Sequence, residues 1–194
     1  PRVVKEADAL SAAGHEVTVV TVCNNRDQAL LDQSVMTKRT WQLLTVRCRK
    51  QGLVERWRWL HFALRQRLYA SLQTRLTPRW GVAERAQCRE YPELCELARS
   101  VRADLYIAHH AEALGAAWSA SRRHGGRFAF DAEDFHSQMF NAPAMSTPVE
   151  HKNLSVRQLL AASEDQPKNS EQRRIEYLER KYLSRCDYIT AASD

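Results

Sequence analysis

No apolar run in this sequence approaches the ~20 residues that a bilayer-spanning helix needs, and its first residues do not read as a signal peptide. There is no G-x-G-x-x-G and no phosphate-binding loop, which removes the usual signals for nucleotide binding by this stretch. The five cysteines (Cys23, Cys48, Cys88, Cys95 and Cys186) are odd in number and contain no C-x-x-C pair. That argues against a disulfide framework and a structural zinc site, and for a reducing compartment. Methionine does not come first; Pro1 does, so we expect the natural start to lie upstream. A hydrophobic share of 44% in 194 residues supplies a core for one domain and excludes overall disorder.

What is present reads as alternating helices and strands. Pro1–Ala13 has Val3, Ala7 and Leu10 on one helical face, with Gly14 as its stop. Val17–Val22 is a β-branched run too short for a helix. Helix, glycine, strand is half of a repeating βα unit, and the strand expected before Pro1 is missing from this fragment. Trp41–Val46 reads as a strand and Glu84–Val101 as a helix bent at Pro92. Leu105–Ala108, Glu112–His124 and Arg127–Phe130 then form a βαβ unit, with Gly125–Gly126 ending its helix. Gln138–Lys168, punctuated by Pro143, Pro148 and Pro167, reads as an excursion over the sheet edge that holds a short helix at Leu154–Ala162. Ser170–Ser184 is a charged helix and Asp187–Ala191 the last strand. The fold class expected is α/β, a Rossmann-like parallel sheet with helices on both faces, in one domain over residues 1–194.

Charge is concentrated in one place. Arg47–Trp80 holds nine Arg or Lys against the single acid Glu55, a local +8 where the chain carries +6, so the remainder is −2. Leu53, Trp57, Leu60, Leu64, Leu68 and Leu72 share one helical face, and Trp59, Phe62 and Tyr69 form a looser stripe on the other side. Three readings fit. The leucines pack on the sheet and the arginines are solvated; or Arg56, Arg58, Trp59, Phe62, Arg65 and Arg67 rest on an anionic membrane surface; or the charge serves nucleic acid, for which no recognition motif is present.

The stretch Arg127–His136 carries the densest chemistry. A buried-strand run leads into Asp131, Glu133, Asp134 and His136. Parallel strands are apolar because both faces are covered, and function sits past their carboxyl ends. His109 and His110 follow the neighbouring strand and should lie at the same edge. Asp131 or Glu133 can also be read as a cap of the following helix.

In order and spacing, four patches resemble the amino-terminal half of a GT-B glycosyltransferase of family 4 and cover nearly all of the chain except Asn24–Glu96. These are Pro1-Arg2-Val3 with Ala7, Leu10 and Gly14–Val20; Ala103–Leu105 with Ala108-His109 and Leu114; Phe130–Asp134; and Glu179-Arg180 with Leu183, Cys186-Asp187, Ile189-Thr190 and Ala192-Ser193. The resemblance implies two Rossmann-like domains facing across a cleft. The carboxyl-terminal one holds the nucleotide-sugar donor, and the amino-terminal one holds a glycan or lipid-linked acceptor. It implies hexosyl transfer with retention of configuration, no metal, and no cofactor beyond the donor as co-substrate. His109 matches the family's histidine after the fourth strand. Glu133 stands where the family often has histidine, in Asp-Ala-Glu-Asp against Asp-Ala-His-Glu. By resemblance His109 and Glu133 are the catalytic candidates, and His110, Asp131, Asp134 and His136 the substrate-binding ones.

Carboxylates and imidazoles in a cleft suit sugar hydroxyls, and hydrogen bonding and orientation rank above base catalysis here. The expected location is cytoplasmic, peripheral at the inner face of the plasma membrane, with no nucleic-acid partner. This fragment alone is expected to be inactive and weakly folded, because the absent strand would lie between Val17–Val22 and Leu105–Ala108. Two alternatives remain: a metal-dependent hydrolase using His109, His110, Asp131, Asp134 and His136, and a non-catalytic Rossmann-like binding domain.

Overall fold

The computed structural model describes residues 2–23, 29–30, 34–37, 39–47, 52–72, 81–132 and 169–191. In chain order the elements are α1 (Arg2–Ala12), β1 (Thr18–Cys23), β2 (Gln42–Arg47), α2 (Leu53–Leu72), α3 (Val82–Gln87), α4 (Tyr91–Ser100), β3 (Leu105–Ala108), α5 (Ala111–His124), β4 (Arg127–Ala132), α6 (Ser170–Leu183) and β5 (Tyr188–Ala191). The fold is α/β, and among the described residues every strand pairing is parallel. The strands form two small sheets, β1-β2 and β3-β4-β5. Among the described residues, β1 pairs only with β2 and β3 only with β4. The helix expected over Leu154–Ala162 and the excursion around it lie outside the described residues.

α1 spans the two sheets. At its far end the Asp8 carboxylate accepts from Arg39 at 2.7 and 2.9 Å and from Trp41 Nε1 at 2.8 Å, next to the start of β2. These bonds hold the Asp8 carboxyl below its usual range. A depressed carboxylate contributes its stability above the unfolded value of 3.8 and loses it as pH falls further, so this brace weakens only in acid. The helix ends as a glycine stop should: Gly14 is left-handed at φ 90, and His15 N–H reaches back to the Leu10 carbonyl at 3.1 Å.

The core under the three-stranded sheet gathers Leu114, Phe128, Phe130, Leu178 and Tyr182, and a second cluster joins Tyr91, Leu94, Tyr106 and Ala120 to Val46 of β2. At the turn into β4, a Cβ on Gly126 would stand 2.5 Å from the Ala103 carbonyl oxygen and 2.8 Å from the Tyr106 ring. A backbone oxygen cannot move aside without disturbing β3. Gly126→Ala should therefore cost about 2 kcal/mol, a fall in Tm of about 4–8 °C that a thermal melt would read.

Two expectations are corrected. The helix read over Glu84–Val101 is two, α3 and α4, separated by an extended Cys88. Pro92 does not bend a helix; it sits in the first turn of α4, where its missing N–H costs nothing. In α2 the faces are reversed. Leu53, Trp57, Leu60, Leu64 and Leu68 are exposed, whereas Phe62 is buried and Trp59 half-buried. The helix packs on α3 rather than on the sheet. The surface it meets offers carbonyls and a carboxylate, and α2 answers with donors. Gln66 Nε2 donates to the Ala86 and Gln87 carbonyls at 3.1 and 3.2 Å, satisfying the end of α3. Arg65 grips Glu93 through two bonds of 2.8 and 2.6 Å and donates to the Arg89 carbonyl. Phe62 and Arg65 are thus turned toward the protein, while Trp59 is half-buried and Arg56, Arg58 and Arg67 remain exposed.

Candidate active site

The carboxyl ends of β3 and β4 meet the first turns of α1. Arg2 and Glu6 are four residues apart on α1 and so share a face. His109 follows β3, Asp131 is near the end of β4, and Thr190 lies opposite Asp131 on β5. Asp131 is buried, its side chain 4% exposed. A buried carboxylate is costly unless paired; here Oδ1 accepts from Arg2 Nη2 and from Thr190 Oγ1, both at 2.7 Å. Its other oxygen stands 3.3 Å from His109 Nδ1, and Glu6 Oε2 stands 3.2 Å from His109 Nε2. The imidazole is therefore held between two carboxylates on neighbouring elements.

Those two contacts are within ion-pair distance, yet His109 Nδ1 and Glu6 Oε2 make no directed hydrogen bond. The oxygens lie off the bonding directions, and we read them as electrostatic contacts only. Buried polar atoms without a directed partner are rare. This site has two of them: His109 Nδ1, on the ring edge toward Asp131, and Glu6 Oε2, beside the opposite ring nitrogen.

Of the residues singled out in the sequence, His109 and Asp131 come together. His110 is exposed at the amino-terminal cap of α5, where its carbonyl accepts from Ala113 N–H at 2.9 Å. Glu133, Asp134 and His136 lie outside the described residues. Asp131 does not face a cleft; it sits beneath Arg2, Thr190 and His109 and orients them. Arg2, Glu6 and Thr190 were not named as site residues, although Arg2 and Thr190 stand in the patches that carry the resemblance. A further signal for Arg2 and Glu6 was their charged pairing at i, i+4 beside the apolar stripe of α1.

Glu6, His109 and Asp131 can also offer one ligand atom each within 4.8 Å of one another, room for a metal ion. The Arg2 guanidinium opposes that use, because it already neutralises Asp131 and would repel a cation beside it. No described thiol is poised as a nucleophile. Burial, with the Glu90 carboxylate nearby, pushes the Cys88 thiol up to about 12. Burial raises Cys95 as well, and lifts Cys186 to about 11. For a thiol, a raised value in the fold means stability that is complete below the unfolded value of 9.0 and is lost as pH climbs toward 12. Iodoacetamide at pH 8 should leave Cys88 and Cys95 unmodified in the native protein and label both in urea, as peptide mass spectrometry would show.

No family model matches this chain, and no curated protein and no solved structure matches it either.

Proposed function

We propose that the chain is the acceptor-binding half of a retaining GT-B glycosyltransferase, a Rossmann-like domain that works with a second domain holding a nucleotide-sugar. The observation that carries this reading is the imidazole of His109 set between Glu6 and Asp131 at the carboxyl edge, with polar atoms of His109 and Glu6 lacking directed partners. A sugar hydroxyl is both donor and acceptor. It can donate to Glu6 and accept from His109, while Asp131 and Arg2 fix the ring. The acceptor is a glycan or lipid-linked glycan, and Glu6 and His109 orient its hydroxyl rather than carry its proton. The strand orders β2-β1 and β3-β4-β5 are compatible with the two flanks of a doubly wound sheet, which supports the Rossmann-like assignment. Free thiols at Cys23, Cys88, Cys95 and Cys186 favour the cytoplasm.

The test is transfer by the full-length protein from a panel of nucleotide-sugars to glycan and lipid-linked acceptors, with the product anomer read by NMR. Retained configuration without added metal is expected. Inversion, or no transfer from any donor, would overturn the reading. The metal-hydrolase reading draws on the three-ligand cluster. It predicts stoichiometric bound metal and hydrolysis lost in chelator.

A further inference from the structure

α2 turns an apolar stripe outward. Leu53 is 77% exposed, Trp57 70%, Leu60 41%, Leu64 56% and Leu68 57%. At 100° per residue these five fall within one narrow sector of the helix. Arg56 and Arg67 run along one border of that sector, and exposed His61 and then Arg58 lie beyond the other. A shallow recess of about 410 Å³, lined by Leu53, Arg56, Trp57, Trp59 and Leu60, opens at its amino-terminal end. Soluble surfaces rarely present such a contiguous apolar row, and the hydrogen bonds of α2 to the end of α3 come from Gln66, outside it.

We propose that this leucine–tryptophan face of α2 is a docking surface for an anionic lipid bilayer, with the helix lying in the plane of the interface. Two observations choose the occupant. The first is charge: the segment 47–80 carries +8 with Glu55 its only acid, and basic residues bordering a buried apolar stripe are what an anionic headgroup layer attracts. A second copy of this chain is disfavoured by the same charge, since pairing α2 with itself would set arginine rows against each other. The second is length: α2 has 20 residues, about 30 Å of helix, and no described helix is long and apolar enough to cross a membrane. The face opposite, with Phe62 and Arg65, stays on the protein and anchors α2 while the leucines enter the acyl boundary. The proposal does not depend on the transfer reaction.

The experiment is co-sedimentation of the full-length protein with vesicles of phosphatidylcholine, with and without one-third phosphatidylglycerol. Binding should require the anionic lipid and fall as salt is raised. Arg56→Gln, Arg58→Gln and Arg67→Gln together should weaken it about a hundredfold. Leu60→Gln, Leu64→Gln and Leu68→Gln together should abolish it while leaving circular dichroism unchanged, because all three face solvent. Trp57 fluorescence should shift to the blue on binding, and that shift should vanish in Trp57→Phe. Equal binding to neutral vesicles, or full binding by the leucine variant, would overturn the proposal. So would a protein that ignores vesicles and passes from dimer to monomer in the leucine variant, which would assign the face to a second copy.

Discussion

His109→Ala should lower kcat/KM for sugar transfer about a hundredfold and shift Tm by no more than a few degrees. A hundredfold is about 2.7 kcal/mol of transition-state binding, the upper range for a lost polar contact that leaves partners unpaired. Here the partner left unpaired is the acceptor hydroxyl, which His109 is proposed to meet with Glu6 beside it. Glu6→Gln keeps the shape and removes the charge, so a loss of about tenfold is expected. Because both residues address one imidazole-centred group, the double variant His109→Ala/Glu6→Gln should lose much less than the product of the two. Stability is spared because His109 stands past the end of β3, outside the Leu114–Phe130 core. Initial rates over acceptor concentration, beside thermal melts, check all three. Unchanged kcat/KM in His109→Ala would move the acceptor site elsewhere. A collapse of Tm would make the residue structural.

The largest loss of stability from a polar change should come from Glu84→Ala. Glu84 lies on α3 with its side chain 2% exposed. One of its oxygens accepts from the Tyr182 hydroxyl at 2.5 Å and also pairs with Lys181, so a single carboxylate pins α3 to α6. Burial keeps the Tyr182 phenol protonated well above its ordinary range, so it remains a donor at any working pH. Removing one partner of a buried pair leaves the others stranded. The cost should be about 3 kcal/mol, a Tm lower by about 6–12 °C. Glu84→Gln retains an acceptor for Tyr182 and should lose roughly half as much. Tyr182→Phe should cost less in the Glu84→Ala background than alone. Additive losses in that cycle would show the contact to be unimportant.

Strand and helix positions were legible wherever one pattern dominated. The apolar run Leu105–Ala108 and the glycine pair after His124 led directly to β3-α5-β4, and His109 and Asp131 were expected at one edge and lie there. α2 shows where pattern stops. A 3.6-residue period says which side chains share a face and not which face meets the protein. The leucines were the obvious inward stripe, yet the surface available to α2 ends in carbonyls and Glu93, and Gln66 and Arg65 fit it better. Arg2 escaped notice for a related reason. Its partner Asp131 is 129 residues away, and nothing local in Arg2-Val3-Val4-Lys5-Glu6 distinguishes a site residue from a solvated charge.

The last described strand, β5, also completes the site, and that sets an order of assembly within these elements. β3 finds β4 through a short connection, Leu105 opposite Arg127. β5 must close a much longer loop: Phe128 N–H donates to Asp187 Oδ2 across 59 residues of sequence. The longer closure costs roughly 1 kcal/mol more entropy, a rate lower by about fivefold if nothing else differs. Thr190 reaches Asp131 only when β5 has docked. In refolding from urea, helical dichroism should therefore return before the environment of His109 does. Stopped-flow dichroism beside histidine NMR would show the lag: the chain acquires its framework first and its polar edge last.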